Sequence, residues 1–414
     1  MRSFDSHPCT GETVTLADIR AAARRIADGV IVSPCPESLS LGEIAGARIF
    51  CKLDNLQRTG SFKERGARNA LTMLPGAARS RGVIAASAGN HALGLAYHGR
   101  LLNIPVVVVM PEYAPLIKRT ACARLGAHVI VSGRDFAEAR AAADAIVARD
   151  GATYIHGFDD PDVIAGQGTA GLEILEQVDS LDAIVCPIGG AGLIAGIAVA
   201  VKALRPEVEI IGVESVATCS FTAALKAGRP VSIPRRPTLA DGLAVLKVGA
   251  NAFSLARTRV DRVITVKEEA IALAILRMAE LEKTVVEGAA AAPLAAFLAG
   301  KLSHLAGKRV ALTVCGGNID PAVLSRVIEL GLVADGRISR LSVAISDRPG
   351  GLAALARAIA EAGASIKDIA HDRAFSGPDV SAVTCSCTVE TRDRTHAAAL
   401  RRALRRAGFT VKAG

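Results

Sequence analysis

A chain of 414 residues that is 50% hydrophobic and 21% charged can bury more than one apolar core, which excludes a disordered or low-complexity protein. Aromatic residues make up only 3% and tryptophan is absent, so the cores must be Ala, Val, Leu and Ile, as when helices cover parallel strands. The net charge of +9 invites a nucleic-acid reading, but residues 340–414 hold 12 Lys/Arg against 7 Asp/Glu, much of it in Arg401–Arg406; without aromatics for base stacking this reads as one solvated helix face, and no nucleic-acid partner is expected.

In chain order, Thr15 with Asp18 forms a variant of the capping box and Gly29 closes the helix it opens. Short apolar runs follow at 82–87 (GVIAAS), 105–110 (PVVVVM), 127–132 (AHVIVS), 182–189 (DAIVCPIG), 208–215 (VEIIGVES) and 309–317 (RVALTVCGG). Each stops at Gly, Ser or Pro, and most lead into a helical stretch. That is the βαβ pattern of open, mostly parallel sheets. The runs exceed what one compact sheet needs, so two α/β domains with a cleft between them are expected within residues 1–335, the smaller over roughly 58–155.

After Asp335 the pattern changes. RISRLSVAISD reads as a strand, RPGGLAALARAIAEAG as a helix from Pro349 to Gly363, SIKDIAHDRAF as a strand, SGPD as a turn, VSAVTCSCTVE as an alternating strand, RDRTHAAALRRALRRAG as a helix and FTVKAG as a last strand. The order βαββαβ predicts a ferredoxin-like domain over 338–414. No run is long and apolar enough to span a bilayer, and MRSFDSHPCTGETVT lacks the apolar stretch of a signal peptide. The nine cysteines are scattered without CxxC pairs. They read as reduced thiols in a cytoplasmic protein, with no zinc site.

Four segments carry chemistry. In GSFKERGARNAL (60–71), Lys63 falls in the first turn of a helix, where the helix dipole opposes its charge. A lysine kept neutral is a nucleophile. SAGNHALG (87–94) and PIGGAGLIAG (187–196) each join a strand to a helix. In the second, Gly189, Gly190 and Gly192 let backbone N–H groups approach an anion such as phosphate. CGGNID (315–320) ends a further strand. Taken singly each has a plain structural reading. Lys63 can be a solvated lysine, the glycine run a packing turn, Asn90 a helix cap and Cys315 a buried hydrophobe. Together, a lysine, a phosphate cradle and a further glycine-rich strand end point to pyridoxal phosphate.

SFKERGA, SAGNHALG, GQGTAGLEI (166–174), PIGGAGL and CGGN occur in the order found in the threonine dehydratases, and residues 15–335 resemble this family of fold-type II pyridoxal-phosphate enzymes. The resemblance implies the tryptophan-synthase-β-like fold and the cofactor pyridoxal 5'-phosphate. Lys63 matches the Schiff-base lysine, Phe62 a residue packed by the cofactor, and Asn90 the asparagine that meets the cofactor phenol oxygen. Gly189, Gly190, Ala191, Gly192 and Leu193 match the phosphate loop, and Cys315 the residue facing the pyridine nitrogen. Ala191 stands where the family usually has glycine, and its extra Cβ is expected to be tolerated at a helix-like position.

The substrate carboxylate is expected on the turn Ser87, Ala88, Gly89, Asn90 and His91, with His91 itself read as helix-start structure. The implied activity is β-elimination of L-threonine, and of L-serine, to 2-oxobutanoate or pyruvate and ammonia. The alternatives are another β-hydroxy amino acid dehydratase, a serine racemase-like enzyme or, more remotely, a non-catalytic amino-acid sensor. Racemases carry a serine where this chain has Ala88, and a cation held by a Glu and an Asp six residues on; Glu214 is followed by Ser220, so no metal is expected. Residues 338–414 resemble the regulatory ACT domain, which implies an amino-acid effector, isoleucine or valine, near Asp347–Gly351, and a homodimer or homotetramer.

Overall fold

The computed structural model describes residues 13–372 and 382–412. The expected SGPD turn and the stretch before Thr13 lie outside the described residues. The chain forms two compact units, Met1–Asp320 and Pro321–Gly414.

Among its described residues the first unit holds ten strands: β1 (Glu37–Ser38), β2 (Arg48–Lys52), β3 (Val83–Ala86), β4 (Val106–Met110), β5 (His128–Val131), β6 (Thr153–Tyr154), β7 (Ala183–Pro187), β8 (Glu209–Ser215), β9 (Arg262–Val266) and β10 (Arg309–Thr313). They make two sheets, one ordered β1-β2-β10-β7-β8-β9 and a smaller one ordered β5-β4-β3-β6. Every pairing is parallel except β1 with β2. Parallel strands buried on both faces need continuous apolar runs. VIAA of β3 and AIVCP of β7 are accordingly buried at every position. The smaller sheet spans Val83–Tyr154, inside the expected 58–155 segment, and carries its own core of small aliphatics around Ala67, Leu95, Val108 and Met110.

Local signals set the helix ends. Thr15 and Asp18 form a reciprocal capping box at the start of Leu16–Ile26. Asp160 accepts from the N–H groups of Asp162 and Val163 at the start of Pro161–Gln177, and Asp135 accepts from Glu138 at the start of Phe136–Asp150.

The second unit has β11 (Ile338–Ser346), β12 (Ser365–Asp372), β13 (Ala382–Glu390) and β14 (Thr410–Lys412), an antiparallel sheet in the order β12-β13-β11-β14. Helices Gly351–Glu361 and Arg394–Arg406 complete the βαββαβ order. Leu341, Val343, Ile345, Cys385, Cys387 and Val389 face these helices through Leu355, Ile359, Leu400 and Leu404. Cys385 and Cys387 thus serve as small core residues. Helix Pro321–Asp335 groups with this unit, whereas the sequence reading assigned it to the segment before.

Candidate active site

The segment before Lys63 is tied to the end of β10. Phe62 N donates to the Cys315 carbonyl at 3.0 Å and Gly317 N to the Gly60 carbonyl at 2.9 Å, with Ser61 bridged to Gly316. These bonds bring Lys63, the first residue of helix Lys63–Met73, close to Cys315 although 252 positions separate them (315 − 63). Gly60 has φ +77 and no room for a Cβ beside the Asn318 side chain, so glycine is required at this turn.

A cavity of ≈ 200 Å³ opens where these elements meet. It is lined by Phe62 and Lys63, by Ser87, Gly89, Asn90 and His91 after β3, by Gly189–Leu193 after β7, and by Cys315 after β10. Twelve of the thirteen residues singled out in the sequence therefore share one cavity. Ala88 is the exception: its side chain packs against the apolar core of the smaller sheet. β3 ends at Ala86 and the backbone bends at Ala88 and Gly89, and Ala88 packs on the core while its neighbours Ser87 and Gly89 line the cavity.

Helices Asn90–Leu101, after Gly89, and Gly192–Leu204, after Ala191, start at the cavity without a side-chain cap. Their first N–H groups are unused donors at the positive end of a helix dipole, a ready site for anions. At Gly190 or Gly192 a Cβ would collide with Phe158, so these glycines hold the loop against that residue. Ala191 corrects an expectation. It is not helix-like but left-handed, with φ 71 and ψ −2, a conformation costing a non-glycine residue ~1–2 kcal/mol.

Lys63 is half-buried, and its Nζ donates to the Gly157 carbonyl at 2.5 Å. Burial lowers its amine to about 8, against the opposing pull of Cys315 and Glu287. Burial also raises the Cys315 thiol well above its ordinary value, with the Glu287 charge adding to it, so Cys315 is neutral. His91 sits with Nε2 3.0 Å from the Ile155 carbonyl. Burial, and then the Lys63 charge, push it down to about 3. It is a neutral ring that donates to a carbonyl. Glu214 uses both oxygens on the start of helix Ser220–Ala227, accepting from Phe221 N at 2.7 Å and from Thr222 N at 2.9 Å. Among the described residues no group of three or more His, Cys, Asp or Glu is placed to hold a metal.

The sequence reading missed Glu287, His156, Gly157 and Phe158, which also line the cavity. Asn90 Nδ2 donates to the two Glu287 oxygens at 2.8 and 3.1 Å. Burial pushes Glu287 up to about 7, with Asp241 adding to it. His156 Nδ1 accepts from Asp159 N at 3.1 Å, which leaves the ring proton on Nε2. The one local signal for Glu287 was its place just before the helix Gly288–Leu298.

These residues suit pyridoxal phosphate. The uncapped glycine loop matches a phosphate, the half-buried amine matches an aldehyde, and the neutral thiol leaves no fixed charge beside a ring nitrogen.

Comparison with known proteins agrees. Residues 26–316 match the family described as pyridoxal-phosphate dependent enzyme. The chain is 43% identical over 399 residues to an L-threonine ammonia-lyase of Thermotoga maritima, covering 96% of this chain and 99% of that one. Its fold is similar to a processed threonine deaminase isoform from Solanum lycopersicum, with a TM-score of 0.73 and 37% identity over 76% of this chain and 92% of the other. It is also similar to a serine racemase from Dictyostelium discoideum, with a TM-score of 0.71 and 36% identity over 74% and 99%. The chain belongs to the pyridoxal-phosphate-dependent enzymes, with an amino acid as substrate.

Proposed function

We propose that this enzyme is an L-threonine ammonia-lyase, converting L-threonine to 2-oxobutanoate and ammonia and L-serine to pyruvate and ammonia. The observation that carries this is the meeting of the Lys63 amine, the uncapped starts of Asn90–Leu101 and Gly192–Leu204 and a neutral Cys315 on one cavity. The name of the relative matched along nearly its whole length supports threonine as substrate.

When bound, the cofactor supplies an electron-withdrawing ring that acidifies the substrate Cα–H. Lys63 would hold the cofactor through its Nζ, and the same nitrogen, when free, would take the Cα proton. An amine lowered to about 8 is suited to accept a proton near neutrality. The N–H groups of Gly189–Leu193 would bind the phosphate, and Asn90 would donate to the phenol oxygen. The open N–H groups at the start of Asn90–Leu101 bind the substrate carboxylate and so orient the Cα–H. Cys315 remains a thiol and puts no anion beside the ring nitrogen, which favours loss of the β-hydroxyl over amine transfer. Racemisation needs an acid on the opposite face; Ala88 supplies none and packs into the core.

The test supplies the cofactor-loaded protein with L-threonine, L-serine and 3-hydroxyaspartate. The reading expects fastest 2-oxo acid release from L-threonine and no D-serine by chiral chromatography. Fastest turnover of 3-hydroxyaspartate, or D-serine as the main product from L-serine, would replace it.

The second unit is read as an ACT domain that binds a branched-chain amino acid and joins subunits into a homodimer or homotetramer. Its support is the helix Gly351–Glu361, which starts at Gly350 with φ 95 and no side-chain cap. A cytoplasmic location is supported by the eight described cysteines, all free.

A further inference from the structure

Among the described residues Glu287 is the only acidic side chain lining the cavity. It precedes helix Gly288–Leu298 but its side chain does not cap it. Its carboxyl is instead turned to Asn90, which donates from Nδ2 to both oxygens. The other end of the Asn90 amide is held as well, since Oδ1 accepts from Asn318 Nδ2 at 2.8 Å, and Asn318 Nδ2 also donates to the Thr59 carbonyl at 2.7 Å. The chain makes room for this arrangement at Gly316, where a Cβ would strike Glu287 Oε1.

The amide of Asn90 is therefore fixed in one sense. A reversed amide would set an oxygen against the Glu287 carboxylate and an NH₂ against the NH₂ of Asn318. Nδ2 carries two hydrogens, and Glu287 engages one side of that group.

We propose that Glu287 is a positioning residue for the cofactor: by holding one amide hydrogen of Asn90 it presents the other to the cofactor, and it makes binding of that anionic ligand depend on its own protonation. The proposal rests on the reading that Asn90 meets the cofactor's phenol oxygen. The groups that act on the carboxyl come from several elements. Asp241 raises it, while Lys118 and Lys63 lower it, and the neutral Cys315 thiol lies nearby. Asp241 is itself paired with Lys118 at 3.0 Å. Burial outweighs these, so the carboxyl changes charge near pH 7. Below that pH it is neutral and tolerates an anionic ligand. Above it, a buried negative charge opposes one.

The probe is pyridoxine 5'-phosphate, which lacks the aldehyde and cannot attach to Lys63. Its affinity is measured by calorimetry from pH 6 to 8 for the wild-type chain, Glu287→Gln, Glu287→Ala and Asn90→Ala, each checked for a native melting transition. Wild type should weaken about tenfold across this range relative to Glu287→Gln, which keeps an acceptor oxygen but cannot ionise. Glu287→Ala, which releases Asn90, should bind about tenfold more weakly than Glu287→Gln at pH 6. If Asn90→Ala weakens binding while both Glu287 variants match wild type in affinity and pH profile, the role of Glu287 is overturned and that of Asn90 stands. If Asn90→Ala binds as wild type does, the Asn90 reading falls and takes this proposal with it.

Discussion

Arg65 and Asp54 form a two-pronged ion pair sealed from solvent, Nε to Oδ2 at 2.8 Å and Nη2 to Oδ1 at 2.7 Å. Arg65 also reaches Glu173, which pairs with the buried Lys52 at 2.6 Å. Arg65 lies two residues beyond Lys63 on the same helix, so this cluster fixes the helix that presents the amine. Burial alone would raise the Asp54 carboxyl, but the Arg65 charge holds it below its ordinary value. Its stabilising contribution is therefore present at neutral pH and fades as pH falls through the lowered value.

Arg65→Met should leave the buried Asp54 without its ion-pair partner, while Glu173 keeps Lys52, and cost about 3–5 kcal/mol. Urea unfolding at pH 7 measures this, and the deficit should shrink in acid as the carboxylates take up protons.

The Lys63 amine should titrate near pH 8 rather than at the ordinary 10.5. A base lowered by burial holds its proton at a cost below the lowered value. Folding therefore gains stability as pH rises from about 8 toward 10.5. In cofactor-free protein, trinitrobenzenesulfonate labelling of Lys63 followed by mass spectrometry should show half-maximal rate near pH 8; a midpoint near 10.5 would remove burial as the cause.

Ala191→Gly should stabilise the fold by about 0.5–1 kcal/mol, because it relieves a left-handed alanine. The opposite change next door should be costly. Gly190→Ala drives a methyl into the Phe158 ring and should lower stability by about 1–3 kcal/mol. Thermal unfolding of both variants checks the pair.

Much of the site was legible because Lys63, Asn90 and the glycine loop stand where a strand ends or a helix begins, and such junctions leave marks in the sequence. Ala191 was visible as a departure, but its left-handed backbone was not, since alanine does not announce positive φ. Glu287 reaches Asn90 across 197 positions, a distance that no local pattern spans. Ala88 was placed in the right turn, but the bend there turns it onto the core, and no residue pattern marks that. Among the strands of the first unit, β1, β2, β6 and β9 went unlisted. The sequence RIFCK of β2 has charged ends, and Lys52 is buried there because Glu173 pairs with it and Gln177 and the Ser33 carbonyl accept from it. β9 is a sheet edge beginning at the exposed Arg262. β6 is two residues long, too short for any periodicity.

If the second unit binds a branched-chain amino acid, isoleucine or valine titrated into the whole chain should give saturable heat and shift the apparent threonine affinity about 5–150-fold, the range of ordinary allosteric coupling. Heat without a kinetic shift would leave binding but no regulation, and neither would leave assembly as the unit's role.

The most direct test compares wild type with Lys63→Ala, both folded and supplied with pyridoxal 5'-phosphate, by following 2-oxobutanoate released from L-threonine. The wild-type chain should release it with an equal amount of ammonia, and Lys63→Ala should lose at least a thousandfold in rate, because one nitrogen both holds the cofactor and takes the Cα proton. Release from Lys63→Ala at the wild-type rate, or none from wild type, would contradict the account.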